Sequence, residues 1–161
     1  MNPPEPTFDY VLTIMSRLAQ AQLATWLCGG WAEELYGLYR PRPHKDVDLL
    51  YPAVNFAQLD QWLARTPDLS AIPAKRFSHK RAVLCRDIMI EFILLEPDEE
   101  RGYLTNFFNK SYQLVWSHDT LSLLFVRGQG VPVASEEALR LYRQQHHSVA
   151  EAYQAYLQEQ Y

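Results

Sequence analysis

The chain has 161 residues and a formal net charge of −4, from 15 Lys plus Arg against 19 Asp plus Glu. That balance argues against a protein that grips long nucleic acid through its phosphates, which needs a strong basic field. With 48% hydrophobic and 13% aromatic residues it can build a sizeable core, and its length suits one domain over residues 1–161. No apolar run approaches a membrane span. The start, MNPPEPTFDY, lacks the basic and apolar regions of a secretory signal, so a cytoplasmic protein is expected. Cys28 and Cys85 both sit in apolar, strand-like runs and read as buried thiols rather than a disulfide framework.

Residues 1–6 are Pro-rich and are expected to be flexible. From the capping residue Thr7, apolar side chains at Tyr10, Val11, Ile14, Met15, Leu18 and Leu23 predict a packing helix. Thr25–Cys28 predicts a strand, Gly29-Gly30 a corner, and Trp31–Tyr39 a helix. Trp31, Leu35 and Leu38 of that helix should face the sheet, with Glu33 and Glu34 toward solvent. Two prolines stiffen the basic loop Arg40–Lys45. Asp46–Tyr51 predicts a second strand, and Asn55–Arg65 an amphipathic helix with Phe56, Leu59, Trp62 and Leu63 as its stripe. This alternation marks an α/β or α+β domain.

Lys75–Lys80 is basic and reads as a solvated edge, with the border of a nucleotide site as the alternative. Arg81–Cys85 and Ile88–Leu95 predict a hairpin across Arg86-Asp87. Thr105–Trp116 and Leu121–Val126 read as irregular structure and strands, with a turn at Arg127–Gly130 and a return strand at Val131–Val133. Ser135 caps a C-terminal helical segment, residues 135–161, with Leu139, Tyr142, Val149, Tyr153, Tyr156 and Leu157 as its stripe. His146 and His147 lie within it. Adjacent histidines cannot both face one metal from a helix, so they read as a surface pair.

The chemistry concentrates between Trp26 and Leu50. Residues two apart on a strand share a face, about 6.6 Å apart, so Asp46 and Asp48 project together while Val47 enters the core. Two carboxylates on one face repel unless a cation joins them. Hard divalent ions take oxygen ligands and keep substrate phosphates as others. A pair of such ions, about 3.5–4 Å apart, is the usual clamp for in-line displacement at phosphorus. Gly29 and Gly30 let the backbone approach a ligand closely, and a helix start offers free N–H groups to phosphate. The strand Ile88–Leu95, IMIEFILL, is apolar at every position except Glu91. A carboxylate there is costly unless paired, protonated or metal-bound, which makes Glu91 the candidate third acid and base. The acidic run Glu96–Glu100 follows this strand. Most such runs are solvated, although this one lies where it would attract a cationic acceptor.

Gly29-Gly30-Trp31-Ala32, a helix, and then Arg42-x-His44-x-Asp46-Val47-Asp48 resemble the nucleotidyltransferase superfamily of the DNA polymerase beta type, and within it the small aminoglycoside and lincosamide nucleotidyltransferases. The likeness is sharp over residues 26–51. It implies an α+β nucleotidyltransferase fold: a mixed sheet with helices packed on it and a C-terminal helix. It implies transfer of a nucleoside monophosphate from an NTP, with ATP expected, to a hydroxyl of a small acceptor, with two Mg²⁺ ions. Asp46, Asp48 and Glu91 would be the catalytic and metal-binding residues. Gly29, Gly30, Arg42, His44 and Lys45 would meet the nucleotide, with His44 as an orienter rather than a metal ligand. Arg140 and Arg143 are further candidates, because a helix after Ser135 lines the cleft in relatives. Many drug-modifying relatives carry a longer helical region, so a second subunit, as in a homodimer, would complete the cleft here. The alternatives from the same resemblance are a catalytically weak binding module and a protein-nucleotidylating enzyme of the antitoxin type.

Overall fold

A computed structural model describes residues 6–160. The expected flexibility of residues 1–5 lies outside the described residues, and Pro6 is buried. Helix α1 spans Phe8–Gln20, and Thr7 caps it, its hydroxyl accepting from the Tyr10 N–H at 3.2 Å. Strand β1 (Trp26–Cys28) runs directly into helix α2 (Gly29–Leu35). Strand β2 (Asp46–Pro52) and helix α3 (Ala57–Ala64) follow. After the short strand β3 (Ser70–Ala71) and a 3₁₀ turn at Pro73–Lys75 come β4 (Lys80–Cys85) and the long β5 (Ile88–Asp98). Strands β6 (Gly102–Phe107), β7 (Tyr112–Trp116), β8 (Leu121–Val126) and β9 (Gln129–Ala134) lead to helices α4 (Glu136–Gln144) and α5 (His146–Glu159).

The main sheet has the order β3-β4-β5-β2-β1-β9-β8. It is mixed: β2 runs parallel to β5 and antiparallel to β1, and β1 runs parallel to β9. The far end of β5 carries the β6–β7 hairpin. The α+β arrangement implied by the sequence, a mixed sheet with helices packed on it and a helical C-terminus, is the one observed. Among the described residues no helix is long and apolar enough to cross a membrane.

Local chemistry explains the element ends. The β4–β5 hairpin closes on Arg86 and Asp87, both left-handed (φ +51° and +66°), the backbone that matches the twist of paired strands. Helix α2 stops at Leu35, earlier than the apolar spacing over 31–39 predicts. Gly37 takes φ +72°, its N–H bonds Glu34 O at 2.9 Å, and the Leu38 N–H bonds Glu33 O at 3.0 Å. This glycine-terminated cap overrides the periodicity. The C-terminal stripe is divided at Gln145 into two helices, and the Gln145 side chain accepts from the Tyr112 hydroxyl of β7. Thr105–Trp116, read as irregular structure and strands, lies in the regular β6–β7 hairpin.

On one face of β2 and β5, Val47, Leu49, Ile90 and Phe92 are buried in the continuous core, with α1 residues Val11, Ile14 and Leu18 in the same cluster. Each such side chain contributes about 1.5–3 kcal/mol by leaving water. The other face of these strands carries the acids. Away from that face, Arg81 anchors α3 to β4. It donates to both Asp60 oxygens at 2.8 and 3.1 Å and to Phe77 O at 2.6 Å, and its guanidinium lies 4.5 Å from the Phe56 ring centroid.

Arg81→Ala is expected to cost about 1.5–3 kcal/mol in urea unfolding, because it removes three charge-assisted bonds and leaves Asp60 only the exposed Arg76 at 3.2 Å. Arg17→Ala breaks the exposed bridge to Asp68 and a contact with the Trp62 ring 5.9 Å away, and should cost less. Equal losses would contradict this assignment of the anchor.

Candidate active site

The register of the sheet builds the site. Cys28 on β1 lies opposite Asp48 on β2, Asp48 lies beside Glu91 on β5, and Glu91 lies opposite Ala82 on β4. Asp46, two residues before Asp48, shares its face. Asp46, Asp48 and Glu91 line one cavity of about 270 Å³ together with Gly29, Gly30 and Arg42. Helix α4 supplies another wall through Leu139, Tyr142 and Arg143, and His146 of α5 completes it.

Gly29 is left-handed (φ +67°), and a Cβ there would sit 2.2 Å from Asp48 Oδ2. A Cβ on Gly30 would sit 2.8 Å from His44 Nδ1. The glycine bend thus makes room for Asp48 and His44 as well as exposing backbone to the cavity. His44 is buried against Trp31, with ring centroids 4.6 Å apart, and its Nε2 lies 3.1 Å from Glu34 Oε1. Glu34 also accepts the Arg42 N–H at 3.0 Å, so one carboxylate fixes the entry to β2. His44 supports the site from behind. Lys45 is exposed and is not among the residues lining the cavity.

Glu33 and Glu34 do not face solvent as their helix position suggests. Glu33 is buried and held at both oxygens by Arg143 of α4, at 2.7 and 2.8 Å. The early end of α2 and the docking of α4 turn that face inward. Arg143 also lies 4.7 Å from the Tyr39 ring centroid, and Arg42 lies 5.2 Å from the same centroid. His146 and His147 are both exposed, as expected, and His146 also lines the cavity. The acidic run Glu96–Glu100 borders neither this cavity nor the neighbouring one, and Asp98 is taken up by Arg101 at 3.0 Å.

Electrostatics separate the three acids. Burial first, then the charges of Asp46 and Glu91, push the Asp48 carboxyl well above the ordinary aspartate range. Asp46 is also raised, by burial and then by Glu91. Glu91 is half-buried, yet its pKa is lowered: burial works against ionisation, but Lys80 and Lys75 outweigh it. Lys75 Nζ lies 3.0 Å from one oxygen and Lys80 Nζ 2.9 Å from the other. The Cys28 thiol is pushed up by burial and by Asp48, so it is an inert neighbour.

Among the described residues no group of three or more His, Cys, Asp or Glu side chains converges closely enough to cage a metal. Asp46 and Asp48 alone fit Mg²⁺, which takes one or two carboxylates and completes its shell with substrate phosphate and water. Burial and the neighbouring acids raise their pKa values, and Lys80 offsets this only in part.

Lys80 was legible in principle. It stands two residues before Ala82, the partner of Glu91, so hairpin register puts it on the same face, and a buried acid calls for such a partner. The pairing of Glu33 with Arg143 spans 110 positions and leaves no local signal.

A parallel β2–β5 pair carrying three acids beside a glycine bend defines a nucleotidyltransferase-type protein. The chain belongs to the aminoglycoside-2''-adenylyltransferase family, whose model matches residues 10–158. No curated protein sequence matches it significantly. Among solved structures it is similar to lincomycin-bound LnuA, a lincosamide antibiotic adenylyltransferase, with a TM-score of 0.72 and 15% identity over 92% of this chain and 97% of that one. It is also similar to ANT(2'')-Ia in complex with adenylyl-2''-tobramycin, with a TM-score of 0.55 and 13% identity over 96% and 100% of the two chains. Both matches take in nearly all of the other chain, so the short helical segment is no departure from these two.

The raised pKa of Asp48 fixes a sign. The folded chain holds this proton to higher pH than the unfolded chain, so stability falls as pH rises from the ordinary aspartate range through the raised value. Asp48→Asn should therefore raise Tm at neutral pH in EDTA and flatten that decline. Each kcal/mol relieved corresponds to about 2–4 °C in a domain of this size. A lower Tm with the slope unchanged would contradict the electrostatic assignment.

Proposed function

We propose that this protein transfers a nucleoside monophosphate from an NTP, with ATP as the favoured donor, to a hydroxyl of a small acceptor and releases pyrophosphate. The observation that carries this reading is the single cavity lined by Asp46, Asp48 and Glu91 against Gly29 and Gly30. Asp46 and Asp48 would hold divalent magnesium, which would offset the triphosphate's charge and polarise the phosphorus under attack. Arg42 and Arg143 lie at the same cavity and suit phosphate oxygens, which guanidinium groups bind in pairs. The Glu33 carboxylate holds Arg143 in place for that role.

Glu91 is the group for the acceptor. Its two lysines keep it ionised, the state a proton acceptor needs, although they lower its basicity. In the transfer, the acceptor oxygen bonds to the α-phosphorus as the bond from that phosphorus to pyrophosphate breaks. The hydroxyl proton passes to Glu91. Family membership and the likeness to LnuA and ANT(2'')-Ia support this reading and favour an acceptor of antibiotic size. The lysine clamp on Glu91 favours a second reading, a nucleotide-binding relative without turnover.

Label from [α-³²P]ATP, supplied with Mg²⁺ and a panel of aminoglycosides, lincosamides and other hydroxylated compounds, separates the two. Wild type should transfer label. Asp46→Asn should lose nearly all transfer with its fold intact, and Glu91→Gln should lose about 10²–10⁴-fold. Full turnover by Asp46→Asn would overturn the transferase reading. Magnesium- and ATP-dependent stabilisation without transfer to any acceptor would support the binding module.

A further inference from the structure

A second cavity of about 330 Å³ adjoins the acidic one, and Glu91 and Tyr142 line both. Its size is within the range of small-molecule pockets. Its wall is aromatic: Phe77, His79, Phe107, Phe108, Tyr142 and Tyr153. These rings fix one another. His79 stacks on Phe77 at 5.5 Å, and Phe77 meets the edges of Phe108 at 5.2 Å and Tyr153 at 6.0 Å.

Phe108 carries φ +48°, a conformation costly for a bulky residue. Its N–H donates to His79 Nδ1 at 3.2 Å, which holds the strained turn and leaves the ring proton on Nε2. Such strain persists where surroundings over-determine it, as ligand sites do.

The charges are equally specific. Among the described residues the cavity's charged side chains are Lys75, Lys80 and Glu91, and Glu91 is bonded to both lysines. His79 is neutral, its pKa lowered to about 4 by burial and by Lys80. An ammonium entering this space would meet two like charges and no free carboxylate.

We propose that this aromatic cavity is the acceptor subsite and takes an uncharged hydroxyl-bearing molecule with a flat apolar ring, in place of a polyamine. The inference rests on the transferase reading, because Glu91 at the shared wall is the group that would meet the hydroxyl. The ring would lie among Phe77, Phe108 and Tyr153, where stacking contributes beyond burial, and the hydroxyl would point toward Glu91.

The test is an NMR titration of the full chain with phenyl β-D-glucopyranoside and, separately, tobramycin, in wild type, Asp46→Asn and Ala150→Trp. Ala150 is an exposed residue of α5 at the cavity wall, so a tryptophan there would fill the space without breaking the core. The glucoside should shift the ring signals of Phe77, Phe108 and Tyr153 in wild type and in Asp46→Asn. Binding to Ala150→Trp should be at least tenfold weaker, and tobramycin should leave these signals unmoved. Tobramycin shifting them while the glucoside does not, or equal glucoside binding by Ala150→Trp, would overturn the proposal. Glucoside binding as expected, with no label transferred from [α-³²P]ATP to any acceptor, would overturn the transferase reading and leave the subsite standing.

Discussion

The structure is organised around a repulsion. Two neighbouring strands place Asp46, Asp48 and Glu91 on one face, and the sheet register leaves them no freedom to separate. Asp48 is the most buried of the three, and the space it needs exists because residue 29 is glycine. A folded chain gains nothing from gathering ionised acids in a low-dielectric wall. The arrangement suits a positively charged ligand on the Asp46–Asp48 side, where Lys80 offsets the raised carboxyls only in part. On the Glu91 side the chain supplies the cations, through Lys75 and Lys80. The cluster is thus divided into a half open to a cation and a half already neutralised.

The surroundings serve that division. Glu34 holds the buried His44 and the backbone of Arg42, which sets the approach to Asp46. Glu33 holds Arg143, which ties α4 to α2 and brings a guanidinium to the cavity. Both glutamates of one short helix are thus spent on orientation. The β6–β7 hairpin and α5 enclose the space beyond Glu91 with aromatic rings, so the acidic cavity opens toward an apolar one. The family is described by an aminoglycoside reaction, yet this wall offers little to a polycation. Variation in the hairpin and last helix is a physical route by which one acidic centre serves different acceptors.

Much of this was legible in the chain. Asp46 and Asp48 declare themselves by strand alternation, and Glu91 by interrupting the apolar run 88–95. The turn at Arg86-Asp87 and the cap at Thr7 follow from local chemistry. What was hidden depends on contacts between distant segments. Nothing near Glu33 foretells Arg143, and helical periodicity ran past Gly37, whose left-handed cap ends α2. His146 is the surface residue its sequence suggests, but only the break at Gln145 brings it to the rim of the cavity. The acidic run Glu96–Glu100 is prominent in sequence but lies at the distal end of β5, away from the acids it seemed to extend.

Mn²⁺, a paramagnetic substitute for Mg²⁺, probes the central claim most directly. Added at low stoichiometry with a non-hydrolysable ATP analogue, it should broaden the amide signals of Gly29, Gly30, Asp46, Val47 and Asp48 before all others, with Glu91 close behind. Uniform broadening, or selective broadening at Glu96–Glu100 with the glycine bend untouched, would contradict the account.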